Sequence, residues 1–156
     1  MGSLAQLVED CLGIIKVYSD GSNFRSEVND FPIKVQDDGS ATWKDCLFNK
    51  KHNLYIYLYQ LLSASNAKLP ILYFFHGSGG FCLGSRTWPN CHNYCLCLSS
   101  VLSTVVISPD YRLAPEHRLP AAMDDALNAV KCSKFRLYRT VLIHGYLTGS
   151  TLTRFS

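Results

Sequence analysis

The sequence predicts an α/β fold in which a mostly parallel sheet is joined by crossover helices. Two apolar runs without polar alternation, at residues 71–75 and 105–107, are typical of strands that are buried on both faces. A helical pattern follows each run, first over about residues 89–102 and then from Pro120 to about Lys131. The order strand, helix, strand, helix favours parallel strands covered by helices.

An amphipathic helix is predicted at the N-terminus. Apolar residues recur there at spacings of three and four, and the helix is expected to end near Tyr18, before the turn residues 19–22. Two interpretations stay open: a helix docked on the core, and a cap over a cleft. The apolar stripe consists of Leu4, Leu7, Val8, Cys11, Leu12 and Ile15.

Extended segments are predicted between this helix and the first buried strand. Residues 32–36 and 41–48 flank a turn signal at 37–40, which indicates a hairpin. Residues 54–59 alternate aliphatic and aromatic side chains, so both faces of that strand need cover, and a polar loop follows at 63–68. In the last helix, the expected buried face consists of Ala122, Met123, Ala126, Leu127 and Val130.

Composition and charge exclude several classes of protein. The 156 residues are 47% apolar and 17% charged, unlike a disordered chain, and no apolar run approaches the ~20 residues of a membrane span. Glu9 and Asp10 stand where a signal peptide would be basic. The basic excess is confined to residues 132–156, since the other residues carry 11 basic and 12 acidic side chains. Neither a membrane nor a nucleic acid is therefore expected as a partner.

Seven cysteines, an odd number, predict free thiols in a reducing, cytoplasmic compartment. Cys91, His92 and Cys95 are close enough in sequence to raise the question of a metal site. However, Cys91 and Cys95 share a helix face with Tyr94 and Leu98, as buried helix cysteines do. Because no second ligand pair has zinc-like spacing, neither a metal nor a cofactor is predicted.

A glycine cluster, His76-Gly77-Ser78-Gly79-Gly80-Phe81, follows the first buried strand. Glycine adopts backbone angles that other residues resist, and N–H groups free of side chains can point into a cavity and bind an oxyanion. A purely structural turn explains such a cluster equally well. The segment resembles the His-Gly-Gly-Gly loop of lipases and esterases, which supplies oxyanion-hole donors in α/β-hydrolases.

A longer motif points to a family. Residues 110–126 are similar to a segment of the hormone-sensitive-lipase-like α/β-hydrolases. Together with residues 85–93, 8–11 and 17–22, this motif resembles the plant carboxylesterase branch of that family. The resemblance covers about residues 1–131. It implies the N-terminal half of an α/β-hydrolase fold, whose N-terminal helix forms a cap segment, at residues 1–22, over the acyl pocket.

The resemblance also implies roles for individual residues. Gly77, Ser78 and Gly79 would form the oxyanion hole, and residues 110–116 would act as a scaffold beside it. Arg112 lies near Asp110 and Glu116 in sequence, which indicates a structural ion pair. Neither these two acids nor His117 is expected to act in catalysis. The motif residues with an expected structural role are His76, Gly80, Asp110, Tyr111, Arg112 and Glu116.

Two departures from the family pattern limit the expected activity. Ser78 makes the glycine loop one residue longer before Phe81, and a shift of ~1 Å in a donor can cost on the order of a hundredfold in rate. The Gly-x-Ser-x-Gly nucleophile motif is absent, because the glycine pair with that spacing, Gly145 and Gly149, encloses Leu147 at the serine position. The sequence therefore predicts a chain truncated before the nucleophile, with no catalytic residue of its own.

Residues 132–156 are predicted to be an aberrant or non-homologous tail after a partial hydrolase domain at 1–131. They contain four basic and no acidic residues, and the resemblance stops near Cys132. Codon degeneracy also permits a shifted frame over residues 149–156 that resembles the family's lead-in to the nucleophile strand. A native strand at residues 140–143 is the alternative.

The resemblance implies a parent enzyme that hydrolyses small-molecule carboxylic esters through an acyl-serine intermediate. The chain itself is expected to be an inactive fragment, and its protein partner, if it has one, is not indicated. The alternative function is a gibberellin-receptor-like binding protein, which shares the fold, lacks the catalytic histidine and closes a cap over a hormone.

Overall fold

Seven strands and two helices form the described part of the chain in the computed structural model. The structure describes residues 5–26, 33–62, 69–77 and 81–144, with side chains up to residue 133. The strands form two sheets, a three-stranded sheet near the N-terminus and a four-stranded sheet that carries the core. No helix in these ranges has the length and apolar character needed to cross a bilayer.

The N-terminal segment is an antiparallel sheet, so the predicted N-terminal cap helix is wrong. Its strands are β1 (Leu7–Cys11), β2 (Ile15–Tyr18) and β3 (Asn23–Arg25), paired in sequence order. Leu12 and Gly13 turn the chain between the first two strands with φ angles of 54° and 71°, as the central residues of a type I′ hairpin turn do. The apolar stripe does not form one buried face, because Ile15 is buried whereas Leu12 is 89% exposed.

The core sheet mixes parallel and antiparallel strands. Its strands are β4 (Ala41–Asn49), β5 (Leu54–Leu61), β6 (Ile71–Tyr73) and β7 (Val105–Pro109). Their order across the sheet is β4-β5-β7-β6. β5 runs antiparallel to both β4 and β7, and the parallel pair in the described sheet is β6 with β7. The described sheet is therefore mixed, whereas the prediction was a mostly parallel sheet. The difference arises because a short turn after β4 sends β5 back antiparallel beside it.

Two helices cover opposite faces of this sheet. They are α1 (Pro89–Val101), which connects β6 to β7, and α2 (Ala121–His144). On the α1 side, Tyr59 and Val106 pack with Cys95 and Leu96, and on the α2 side Ile56 and Ile107 pack with Ala129. The prediction that β5 is covered on both faces is confirmed, since Ile56 and Tyr59 belong to opposite sides.

The hairpin predicted around residues 37–40 has a different pairing. Residues 33–38 belong to no strand, and β4 pairs with β5 instead. The side chain of Asn93 in α1 holds this segment: its Oδ1 accepts the Gln36 N–H, and its Nδ2 donates to the Lys34 carbonyl, both at 2.8 Å. The segment is therefore bound to α1 rather than to a strand, a contact that local sequence does not indicate.

Helix α2 buries a different face from the predicted one and continues past Lys131. Its buried residues are Ala122, Asp125, Ala129 and Ser133. Met123 and Leu127, which we expected in the core, are 52% and 57% exposed, because Asp125 turns inward to bind an arginine. The alternative strand at residues 140–143 is wrong, since these residues are helical. Residues 145–156, with the pair Gly145 and Gly149, lie outside the described residues.

The β6 strand forms one edge of the described core sheet, and this edge is apolar. Ile71 and Leu72 are 45% and 36% exposed, whereas the opposite edge strand β4 exposes Lys44 and Asp45, whose charges discourage edge-to-edge pairing. We expect the purified chain to self-associate at micromolar concentration, as measured by sedimentation velocity.

Two substitutions to lysine test whether this edge causes the association. Ile71→Lys is expected to shift the chain towards monomer. Val101→Lys, at an exposed position of helix α1 rather than of the edge strand, is expected to leave the association unchanged. A wild-type chain that is monomeric and unfolds cooperatively at micromolar concentration would contradict this prediction.

Candidate functional site

The carboxyl ends of β6 and β7 bring the two sequence motifs together. β6 leads to His76 and Gly77, and β7 leads directly to Asp110 and Tyr111. Because the two strands are adjacent and parallel, both connections leave the sheet at the same end, where α/β folds place their ligand sites. Three predicted site residues lie outside the described residues: Ser78, Gly79 and Gly80.

His76 is held tightly at the start of the glycine loop. Its side chain is buried, and its ring stacks on Tyr111 with a centroid distance of 4.3 Å and an interplanar angle of 13°. The Tyr111 hydroxyl donates to the backbone carbonyl of His76. Gly84 packs so closely that a Cβ atom there would lie 2.4 Å from His76 Nδ1. Side chain and backbone of the residue before Gly77 are thus both fixed by neighbours.

Asp110 lies beside His76 and collects several donors. Its Oδ1 is 3.5 Å from His76 Nε2 and accepts the Arg86 backbone N–H at 2.9 Å. Its Oδ2 accepts from Arg86 Nη1. Burial raises the pKa of this carboxyl, but the His76 ring, the Arg86 N–H and the Arg86 charge outweigh burial and hold the pKa below its ordinary value. Asp110 is therefore a fixed anion beside His76.

Arg86 is the residue of this site that the sequence reasoning missed. Its Nη2 donates to both carboxylate oxygens of Asp45 at 3.0 Å, and its guanidinium lies over the rings of Tyr57 and Tyr55, at 4.6 and 5.1 Å from their centroids. A signal was present, because no other Lys, Arg, Asp or Glu occurs between residues 69 and 109. A lone charge in so long an uncharged run calls for a specific partner.

Arg112 pairs with Asp125, so the predicted ion pair with Asp110 and Glu116 is wrong. Arg112 Nε and Nη2 donate to the two carboxylate oxygens of Asp125 at 2.8 and 3.0 Å, and the Arg112 backbone N–H donates to Asp125 Oδ2 at 3.0 Å. Asp125 is fully buried on α2. The pair therefore connects the start of α2 to the segment after β7. Asp110 is instead bound by Arg86.

Glu116 receives the third arginine, Arg25 of β3. Arg25 Nε and Nη2 donate to the Glu116 carboxylate at 2.9 and 2.7 Å, and these bonds hold the pKa of Glu116 below its ordinary value. Arg25 also donates to the carbonyls of Cys82 and Ala114. The N-terminal sheet is therefore tied to the segment that follows the glycine loop and to the segment that follows β7.

The Cys91, His92 and Cys95 group lies inside the core rather than at an open site. His92 Nδ1 is hydrogen-bonded to the Tyr59 hydroxyl at 2.8 Å. Burial raises the pKa of the Cys95 thiol to about 12, so this thiol stays protonated and is a poor metal ligand. Within the described ranges, no three His, Cys, Asp or Glu side chains are placed to hold a metal ion.

Comparison with known proteins agrees with this architecture. A family model described as alpha/beta hydrolase fold matches residues 72–136. Probable carboxylesterase 6 of Arabidopsis thaliana is 37% identical over 132 residues, which are 80% of this chain and 38% of that protein. Probable carboxylesterase 8 of the same plant is 41% identical over 117 residues, 74% of this chain and 34% of that protein.

A solved structure gives the same result. A thermophilic carboxylesterase cloned from a metagenomic library matches with a TM-score of 0.50 and 34% identity, over 58% of this chain and 29% of that chain. Sheet, crossover helix and loop thus define an α/β-hydrolase fold. The chain belongs to the plant carboxylesterases of the hormone-sensitive-lipase-like α/β-hydrolase family, as the sequence predicts. It spans less than half the length of the two plant relatives.

Proposed function

We propose that the loop after β6 is the oxyanion-hole loop of a carboxylesterase, with Gly77, Ser78 and Gly79 as its N–H donors. The observation that supports this role is the fixation of His76. Donors aimed at a developing oxyanion must be held in place before the reaction, since small displacements are costly in rate. Tyr111 and Gly84 hold His76, the residue directly before the first proposed donor.

The proposed reaction of the whole protein is the hydrolysis of small-molecule carboxylic esters through an acyl-serine intermediate. A serine Oγ attacks the ester carbonyl carbon, the carbonyl oxygen becomes an oxyanion held by the loop, and the alcohol leaves. Water then attacks the acyl-serine and releases the acid. In this scheme Asp110 and Tyr111 position the start of the loop, Arg112 and Glu116 fix neighbouring segments of the chain, and none of the four touches substrate.

The 156 residues alone are proposed to have no esterase turnover. They contain no Gly-x-Ser-x-Gly motif to supply the nucleophile. We therefore expect purified chain to hydrolyse p-nitrophenyl acetate at no more than the background rate. Ser78→Ala is the matched control, because Ser78 is the loop's one hydroxyl. Saturable hydrolysis by both forms would contradict the proposal, and hydrolysis lost in Ser78→Ala would identify Ser78 as an unexpected nucleophile.

The gibberellin-receptor-like alternative is separated from the esterase lineage by a binding measurement. Titration with labelled gibberellin is expected to show no saturable binding to the chain. Saturable binding without ester turnover would replace the esterase assignment with the receptor one.

No nucleic-acid or membrane partner is proposed. A cytoplasmic location is proposed on the basis of the seven cysteines, none of which is in a disulfide bond in the structure.

The domain boundary near residue 131 is also a proposal. We propose a partial hydrolase domain at residues 1–131 and a tail of aberrant origin at 132–156. The coding DNA tests it: a shifted frame that continues into a Gly-x-Ser-x-Gly motif, or a splice boundary near the Cys132 codon, is expected. The absence of both would make the tail native.

A further inference from the structure

Arg86 links three strands of the core sheet to the start of the glycine loop. Its guanidinium contacts Asp45 in β4, lies over Tyr55 and Tyr57 of β5, and binds Asp110 directly after β7. The residue is 8% exposed, so these contacts are made largely away from water. A buried arginine that bridges two carboxylates cannot leave either of them without a large electrostatic cost.

The contacts of Arg86 fix the orientation of the Asp110 carboxylate. The Arg86 side chain binds Oδ2, and the Arg86 backbone N–H donates to Oδ1 at 2.9 Å. With both oxygens held by one residue, the carboxylate cannot rotate, and Oδ1 stays 3.5 Å from His76 Nε2. His76 therefore lies between a fixed anion on one side and the stacked Tyr111 ring on another.

We propose that Arg86 is a positioning residue for the start of the glycine loop, at His76 and Gly77, because it fixes the Asp110 carboxylate that lies against the His76 ring. The catalytic role of the loop rests on the proposed oxyanion function. The holding of His76 by Arg86 is a separate claim that does not depend on it. Asp45 serves as the outer anchor, since it binds the same guanidinium from β4.

Lysine at position 86 is the informative substitution. It keeps the positive charge, but a single ammonium group cannot bind Asp45 and Asp110 together or stack on the two tyrosine rings. Arg112→Lys is the matched control. It breaks an equally bidentate pair, with the buried Asp125, and the contacts of that pair do not include His76.

Amide hydrogen exchange of the full chain, followed by mass spectrometry at low protein concentration, tests the proposal. Arg86→Lys is expected to accelerate exchange roughly tenfold in peptides that span His76 and Gly77, with little change in peptides of α1. Arg112→Lys is expected to accelerate exchange in α2 only. A purely structural role for Arg86 would instead raise exchange throughout the sheet.

Three results would overturn the proposal: unchanged exchange at His76 and Gly77 in Arg86→Lys, acceleration spread equally over the sheet, or the same local acceleration in Arg112→Lys. If Arg86→Lys does not fold by circular dichroism, Asp45→Asn takes its place, because the Asp45 side chain is 42% exposed and the Arg86–Asp110 contact remains. The same local acceleration, smaller in size, is then expected, and unchanged exchange overturns the proposal. No ester is present, so the result is independent of the esterase assay.

Discussion

Replacement of Arg112 with methionine is expected to lower the free energy of unfolding by about 3–5 kcal/mol, the usual cost of leaving a buried charge without its partner. Asp125 is fully buried and accepts three hydrogen bonds from Arg112. The substitution removes the two side-chain bonds and the positive charge at once. Urea unfolding followed by circular dichroism measures the loss.

An exposed ion pair provides the control for this experiment. Lys16 Nζ lies 3.8 Å from Asp10 Oδ2, and both side chains are more than one third exposed. Lys16→Met is expected to cost less than about 1 kcal/mol, as surface pairs usually do. Equal losses in the two variants would show that the Arg112–Asp125 pair does not hold α2 to the sheet.

Substitution of Gly84 by alanine is expected to have an effect of similar size. Gly84 has a φ of +106°, which is strained for any residue with a side chain, and the new Cβ would lie 2.4 Å from the buried His76 ring. Backbone strain of about 1–3 kcal/mol and overpacking of about 1–3 kcal/mol add to an expected loss of about 2–6 kcal/mol in unfolding free energy.

Gly21→Ala separates the two causes. Gly21 also has a positive φ, of +83°, but a Cβ atom added to Gly21 would have no neighbour within 4 Å. Only the strain, about 1–3 kcal/mol, is expected there. The urea midpoints of the two variants are compared directly. If Gly84→Ala lowers the unfolding free energy no more than Gly21→Ala does, the His76 ring accommodates the new methyl group without cost.

Sequence patterns predicted the parts of the fold that depend on long or specific runs of residues. The motif at residues 110–126 indicated the family, and the non-alternating apolar runs located β6 and β7. The N-terminal helix failed because one short apolar stripe fits both a helix and a pair of strands. The positive φ angles of Leu12 and Gly13 form the turn that makes this segment a pair of strands. Local composition gives little indication of these angles.

The ion pairs of the site were beyond sequence reasoning because their partners are distant in the chain. Asp45 and Asp110 are 41 and 24 residues from Arg86, and Glu116 is 91 residues from Arg25. The buried face of α2 was missed for a related reason, since Asp125 is buried only because it forms an ion pair with Arg112. A pattern of apolar residues cannot show which charged residue forms an ion pair in the protein interior.

A chimera tests most directly whether the glycine loop is an oxyanion-hole loop. Residues 1–131 would be joined to the part of probable carboxylesterase 6 that follows its matched region. We expect the folded chimera to hydrolyse p-nitrophenyl acetate with saturation. Gly79→Pro, which removes one proposed N–H donor, is expected to lower kcat on the order of a hundredfold or more with little change in KM. A folded chimera without turnover, or one whose kcat is unchanged by Gly79→Pro, would contradict the account.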